Sequence, residues 1–223
     1  MPESAMPRLL ASLVPAIAAL LGLACSLPAT AQQTQGADPD AVLLVAKPSL
    51  RDPNFAQTVI LASRRDNGSA IGIILNRPTR QTMSRLFPEH EPSKKVADPI
   101  FFGGPVSRSA VFALVRLKEN PGQGALPLMS DLYLCMNVSL VDKIIEDHPD
   151  TARFYVGYTG WAPGQLLSEV SRGGWFVMNV EEEILFRKNT QNLWEELVQR
   201  ASRITASNDR DGRLFPAGLQ LLN

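Results

Sequence analysis

Residues 58–75 read TVILASRRDNGSAIGIIL, and this stretch decides how the chain begins to fold. Thr58 to Ala62 is rich in β-branched residues, and Ala70 to Leu75 is a second apolar run. Between them lies Asn67-Gly68, a pair that tolerates positive φ and favours a tight turn. The two runs are therefore expected to pair antiparallel as a hairpin.

Upstream, Val42 to Ala46 reads as a short buried strand, joined to the hairpin by the two-proline loop Lys47 to Asn54. Downstream, Thr82 to Phe87 is helical, followed by a polar, proline-bearing loop up to Asp98. Strands are expected at Ile100 to Phe102, Val111 to Leu117 and Leu132 to Met136, with Lys118 to Pro127 as a Gly/Pro loop. Ser139 with Asp142 resembles a capping pair for a helix from Leu140 to Asp147, which stops before Pro149. A strand at Phe154 to Tyr158 runs into Gly157-Tyr158-Thr159-Gly160-Trp161, and Pro163 suits the first turn of a helix reaching Arg172. Trp175 to Met178 is the last clear strand. Glu181-Glu182-Glu183 suits a helix start, where acidic groups oppose the dipole. Leu193, Trp194, Leu197, Val198 and Ala201 recur at helical spacing and give one apolar face.

The first residues read differently. Met1 to Arg8 is short and polar, Leu9 to Leu27 is an uncharged apolar run, and Ala29-Thr30-Ala31 has the small residues a signal peptidase needs. Residues 1–31 are read as a signal peptide, 32–40 as a polar linker, 41–205 as one domain and 206–223 as a tail of unassigned structure. The mature protein is then periplasmic or secreted, with no membrane association after cleavage. Two alternatives are a retained membrane anchor and a lipoprotein through Cys25, although Gly22-Leu23-Ala24 lacks the leucine expected three residues before the cysteine.

The 22 basic residues balance the 22 acidic ones, so no diffuse positive field exists to hold a phosphate backbone, and no nucleic-acid partner is expected. Cys25 and Cys135 are the only cysteines, which excludes a disulfide framework and a Cys-rich zinc site. Cys135 lies among apolar neighbours and reads as buried and inert.

Four ordered blocks carry more information than any single motif. They are Leu44-x-Ala46-x-Pro48-x-Leu50-x-Asp52-Pro53-x-Phe55, then Gly72 to Thr79, then Phe102-Gly103-Gly104-Pro105-Val106, and finally Gly157 to Leu166 with Glu169 one turn on. In this order they resemble the YqgE/AlgH family of small bacterial proteins, over about Ala41 to Trp194. The resemblance implies a single α/β (α+β) domain with a strongly bent, mostly antiparallel, partly barrel-like sheet flanked by helices. It implies no catalysis; some members are tied to transcriptional regulation. Several family positions differ here. Ser63-Arg64-Arg65 stands where a Glu-His pair is usual, and Ala110 to Val115 stands where the family has Arg-Gly-Phe-Val-Leu-His. Asn137 and Ser139 stand where a Ser and an Asp are usual. Most relatives are cytoplasmic, so an exported member reads as a divergent branch.

The chain has no Gly-x-Ser-x-Gly elbow, Walker loop, His-Glu-x-x-His or paired cysteines, so no catalytic residues, metal ligands or cofactor are assigned. The two histidines, His90 and His148, sit in polar, proline-adjacent segments unsuited to a triad. Asp209-Arg210-Asp211-Gly212 lacks the closing glutamate of a calcium loop and reads as a solvated turn. Two loops remain as a candidate ligand site: Asn76, Arg77 and Thr79 on one, Gly160, Trp161 and Gln165 on the other. A guanidinium fork, a helix N-terminus and an indole wall could together hold a carboxylate or phosphate. In the competing reading, the glycines make turns, Arg77 bonds loop carbonyls and Trp161 seals the core. The functional expectation is an exported, non-enzymatic binding or regulatory domain whose partner is an unknown protein or a small anionic molecule. The alternative is an enzyme for a small anion at Arg77 and Trp161, with Glu169 or Tyr158 as its acid-base group.

Overall fold

The computed structural model describes residues 41–210. The expected signal peptide and linker, residues 1–40, and the end of the expected tail, residues 211–223, lie outside the described residues. Nine strands form one sheet among them: β1 Ala41–Ala46, β2 Val59–Arg64, β3 Ala70–Ile74, β4 Phe101–Phe102, β5 Val106–Arg116, β6 Ala125–Met129, β7 Leu132–Cys135, β8 Arg153–Trp161 and β9 Trp175–Met178. Their spatial order is β6-β7-β5-β8-β3-β2-β1-β9, with β4 laid parallel against β8 and every other pair antiparallel. Five α-helices flank the sheet: α1 Met83–Leu86, α2 Val138–Asp147, α3 Gln165–Ser171, α4 Glu182–Leu185 and α5 Leu193–Arg210. None of the described helices is long and apolar enough to cross a membrane.

The sheet curls into a half-barrel, and its strands carry apolar residues on both faces, so each face is covered. β1 is buried at every position. Leu43, Leu61, Ile73, Leu114, Leu134 and Tyr155 point to the inner side, which α5 closes with Leu193, Leu197 and Ala201. α2 covers one part of the outer side through Leu140, Val141, Ile144 and Ile145. α3 covers another through Leu166, where Trp161 and Trp175 pack. The hairpin pairs Arg64 with Ala70 as expected, but its turn is not the two-residue type. Gly68 is left-handed at φ 76°, and the loop closes through Arg65 N–H to Ser69 O at 2.9 Å.

Gly157 bends the sheet. Its φ of 72° inserts an irregularity in β8, and the side-chain alternation reverses there. Before it, Tyr155 faces inward and Phe154 outward; after it, Tyr158 packs on the inner core and Trp161 on the outer layer. The partner strand β5 absorbs the mismatch by shifting register between Val106 and Val111, with Ser107 at φ 51°. Gly103-Gly104 crosses this point backbone to backbone. A Cβ on Gly103 would lie 2.2 Å from Gly157 O, and one on Gly157 would lie 2.2 Å from Gly104 O.

Several element expectations need correction. β5 begins at Val106, five residues before Val111, because the register shift lets an exposed, irregular segment stay in the sheet. Ala125–Met129 is an edge strand, not loop, and an edge tolerates Pro127. α2 starts at Val138, and its cap is Asn137, whose Oδ1 accepts from Ser139 and Leu140 N–H at 2.9 and 3.4 Å. Pro163 precedes α3, where Gly164, left-handed at φ 74°, takes the cap position. α5 continues past Ala206 to Arg210.

Candidate functional site

An open cleft of about 560 Å³ lies at one mouth of the half-barrel. The hairpin contributes Arg65, Ser69 and Ile71, the start of β6 contributes Gly124 and Leu126, and Met136 follows β7. β8 supplies Tyr158, Gly160 and Trp161. The reversal at Gly157 is what turns Tyr158 inward, where its ring meets Phe112 edge-on at 5.5 Å. A Cβ at Gly160 would make only ordinary contact with the Tyr158 ring, at 3.6 Å. The floor is apolar (Ile71, Leu126, Met136), and the exposed Arg65 at the rim has no acidic partner among the described residues. An apolar cavity of this size with a few polar groups at its edge is the usual form of a ligand site.

Beside the cleft, Glu169 on α3 gathers three donors. Its Oε2 accepts from the Trp161 and Trp175 indoles, both at 3.1 Å, and its Oε1 accepts from Gln165 Nε2 at 3.0 Å. Gln165 also accepts the Ala162 N–H at 3.0 Å. Phe55 stacks on Trp161 at 6.2 Å and meets Trp175 edge-on at 6.0 Å. These contacts hold the end of β8 against α3 and leave the Glu169 carboxylate fully engaged.

Arg77 lies at the other end of β3. Trp161 pairs with Ala70, and Arg77 is seven residues further along the chain, a separation of roughly 20 Å in extended backbone. Its Nη1 donates to Asn54 O at 2.7 Å and its Nη2 to Ala56 O at 3.0 Å. Burial works against its charge, and Asp52 partly offsets this. Asn76 accepts the Val59 N–H and donates to Gln57 O, each at 2.9 Å, while Thr79 donates to Ile100 O at 2.7 Å.

The structure thus brings Gly160 and Trp161 to the cleft, ties Gln165 to them through Glu169, and places Asn76, Arg77 and Thr79 elsewhere. Phe55 is the link, since Arg77 grips the carbonyls on either side of it. The helix after Trp161 spans seven residues behind a left-handed glycine, too short to act as an anion site. Cys135 is buried, and desolvation pushes its thiol up to about 11. Sequence reasoning missed Arg65, Leu126 and Met136. The available signal for Arg65 was its place beside the departure from the family's Glu-His pair; Leu126 and Met136 needed the curl of the sheet.

A single-domain half-barrel, closed by helices and open at one mouth, is the class of protein these observations define. A family model described as AlgH-like matches residues 43–205, and the chain belongs to that family. It is 31% identical over 167 residues to a UPF0301 protein of Anaeromyxobacter dehalogenans, covering 70% of this chain and 85% of the relative. It is equally 31% identical over 170 residues to a UPF0301 protein of Sinorhizobium medicae, covering 71% and 84%. Among solved structures, the AlgH protein of Pseudomonas aeruginosa superposes with a TM-score of 0.61 at 26% identity, covering 78% of this chain and 97% of that one. The protein DIP2367 of Corynebacterium diphtheriae shares the fold with a TM-score of 0.59 at 22% identity, covering 83% and 91%.

Proposed function

We propose that this AlgH-like chain is an exported, non-enzymatic binding domain whose ligand enters the cleft at the mouth of the half-barrel. The observation that carries the reading is the pairing of an open apolar floor with a guanidinium at its rim, Arg65, that has no partner among the described residues. Covering Ile71, Met136 and the Tyr158 ring supplies affinity, and Arg65 selects a ligand bearing a carboxylate or phosphate next to an apolar group. The apolar run Leu9 to Leu27 followed by Ala29-Thr30-Ala31 supports the export part of the reading. Zero net charge weighs against nucleic acid as the partner. The enzyme reading at Arg77 and Trp161 has less support, because Arg77 donates to backbone carbonyls and Glu169 already accepts from three groups.

The test places a photo-crosslinking residue at Met136 in the cleft and, separately, at the exposed Lys143 on α2, in the host cell. Adducts formed from position 136 and not from 143 support the reading; equal labelling at both, or at 143 alone, contradicts it. The mature mass read from the same samples should begin at Gln32.

A further inference from the structure

We infer that His90, Asp142 and Glu146 form a surface site for a first-row divalent cation, with Zn²⁺ the metal their chemistry suits. Asp142 and Glu146 are spaced i, i+4 on α2, so they share one face of the helix. His90 comes from a different element, the residue before the 3-10 helix Glu91–Lys95. One ligand atom from each of the three lies within 4.8 Å of the others, and His90 Nε2 stands 3.2 Å from Asp142 Oδ1. Bonds of about 2.0 to 2.2 Å to a common zinc place neighbouring ligand atoms roughly 3 to 3.5 Å apart. The three groups therefore need only small movements to share an ion.

An independent feature orients the imidazole. His90 Nδ1 is 2.7 Å from the hydroxyl of Ser93, and Ser93 is completely buried. With the Nδ1 proton donated to Ser93 Oγ, the Nε2 lone pair points at the two carboxylates, the arrangement that a metal-bound histidine adopts. In that tautomer a cation is what the Nε2 lone pair and the two like charges on α2 can share. Neither carboxylate has a lysine or arginine partner among the described residues. The mixed imidazole and carboxylate set favours zinc and its first-row neighbours over calcium or magnesium. Three protein ligands leave a position for water. A bound ion would fasten the segment around the 3-10 helix to α2, over the outer core where Val96 meets Val141 and Ile144.

The competing arrangement has the same heavy atoms and no ion: the Ser93 hydroxyl donates to Nδ1, and Nε2–H donates to Asp142. Asp142→Asn separates the two, because an amide oxygen still accepts from Nε2–H but is a far poorer metal ligand. Tag-free mature protein, stripped with EDTA and desalted, is titrated with Zn²⁺ by calorimetry and with Co²⁺ by visible absorption. One equivalent should bind saturably, and both His90→Ala and Asp142→Asn should weaken it at least tenfold and remove the cobalt bands. Melting temperatures in EDTA check that each variant is folded. Absence of saturable binding up to about 1 mM Zn²⁺, or binding that survives unchanged in folded Asp142→Asn, overturns the site.

Discussion

The two ends of β3 carry different kinds of work. At the Arg77 end, every polar side chain of Asn76-Arg77-Pro78-Thr79 is bonded to backbone, and the segment stitches three loops together. At the Ala70 end, opposite Trp161, the sheet opens into a cleft whose floor is apolar and whose rim charge has no partner among the described residues. The Arg77 end is bonded as scaffold, and the open Trp161 end is where we propose that a ligand fits. A polar residue is a functional candidate only when its hydrogen-bonding capacity is left for something else.

The comparison makes the scaffold fragile and the cleft tolerant. The largest loss is expected at the sheet crossing. Gly157→Ala combines a left-handed φ of 72° with a Cβ 2.2 Å from Gly104 O, so urea denaturation should show a loss of more than about 3 kcal/mol or no folded protein. Trp161→Ala removes a buried indole that Phe55 stacks on and Glu169 accepts from, and should cost about 3 to 5 kcal/mol by the same measurement.

A pH effect comes next. The Cys135 thiol, ordinarily near 9.0, is pushed up to about 11 by burial, so the native state disfavours the thiolate. Its contribution is fully present below pH 9 and is lost as pH rises toward 11, for a total of about 3 kcal/mol. Cys135→Ala should flatten that part of the alkaline denaturation curve, and wild type should resist thiol reagents without denaturant. Arg77→Lys should cost about 1 to 2 kcal/mol, because one ammonium cannot bridge Asn54 O and Ala56 O as the fork does. A larger loss, or one accompanied by lost ligand binding, would blur the distinction between the two ends.

Much of the scaffold was legible because it is written in local signals. The hairpin, β1, β7, β9 and the start of α4 follow from apolar runs, an Asn-Gly pair and an acidic triplet. The bent, mostly antiparallel sheet followed from the four ordered blocks. Gly157 was legible as a glycine but not as a bulge, since its meaning depends on Gly103 and Gly104 crossing it from a distant part of the chain. β6 was hidden by Pro127, which only an edge strand excuses. Arg77 and Trp161 were singled out for their chemistry, yet their separation depends on strand register, which a list of motifs does not contain. His90 and Asp142 meet only because the loop before the 3-10 helix folds back onto α2.

The central claim is that function sits at the Trp161 end of β3 and scaffold at the Arg77 end, and one paired measurement addresses it directly. Wild type, Met136→Arg and Arg77→Lys are expressed in the host with the photo-crosslinking residue at the half-buried position Ser69 on the cleft rim, and intact adducts are quantified by mass spectrometry. Met136→Arg puts a charge on the cleft floor, and because Met136 packs partly on the inner core its melting temperature is measured alongside to show that it is folded. The account predicts that Met136→Arg loses the adduct while Arg77→Lys keeps it. Retention of the adduct by folded Met136→Arg together with its loss from Arg77→Lys would contradict the account and move the site to the other end of the strand.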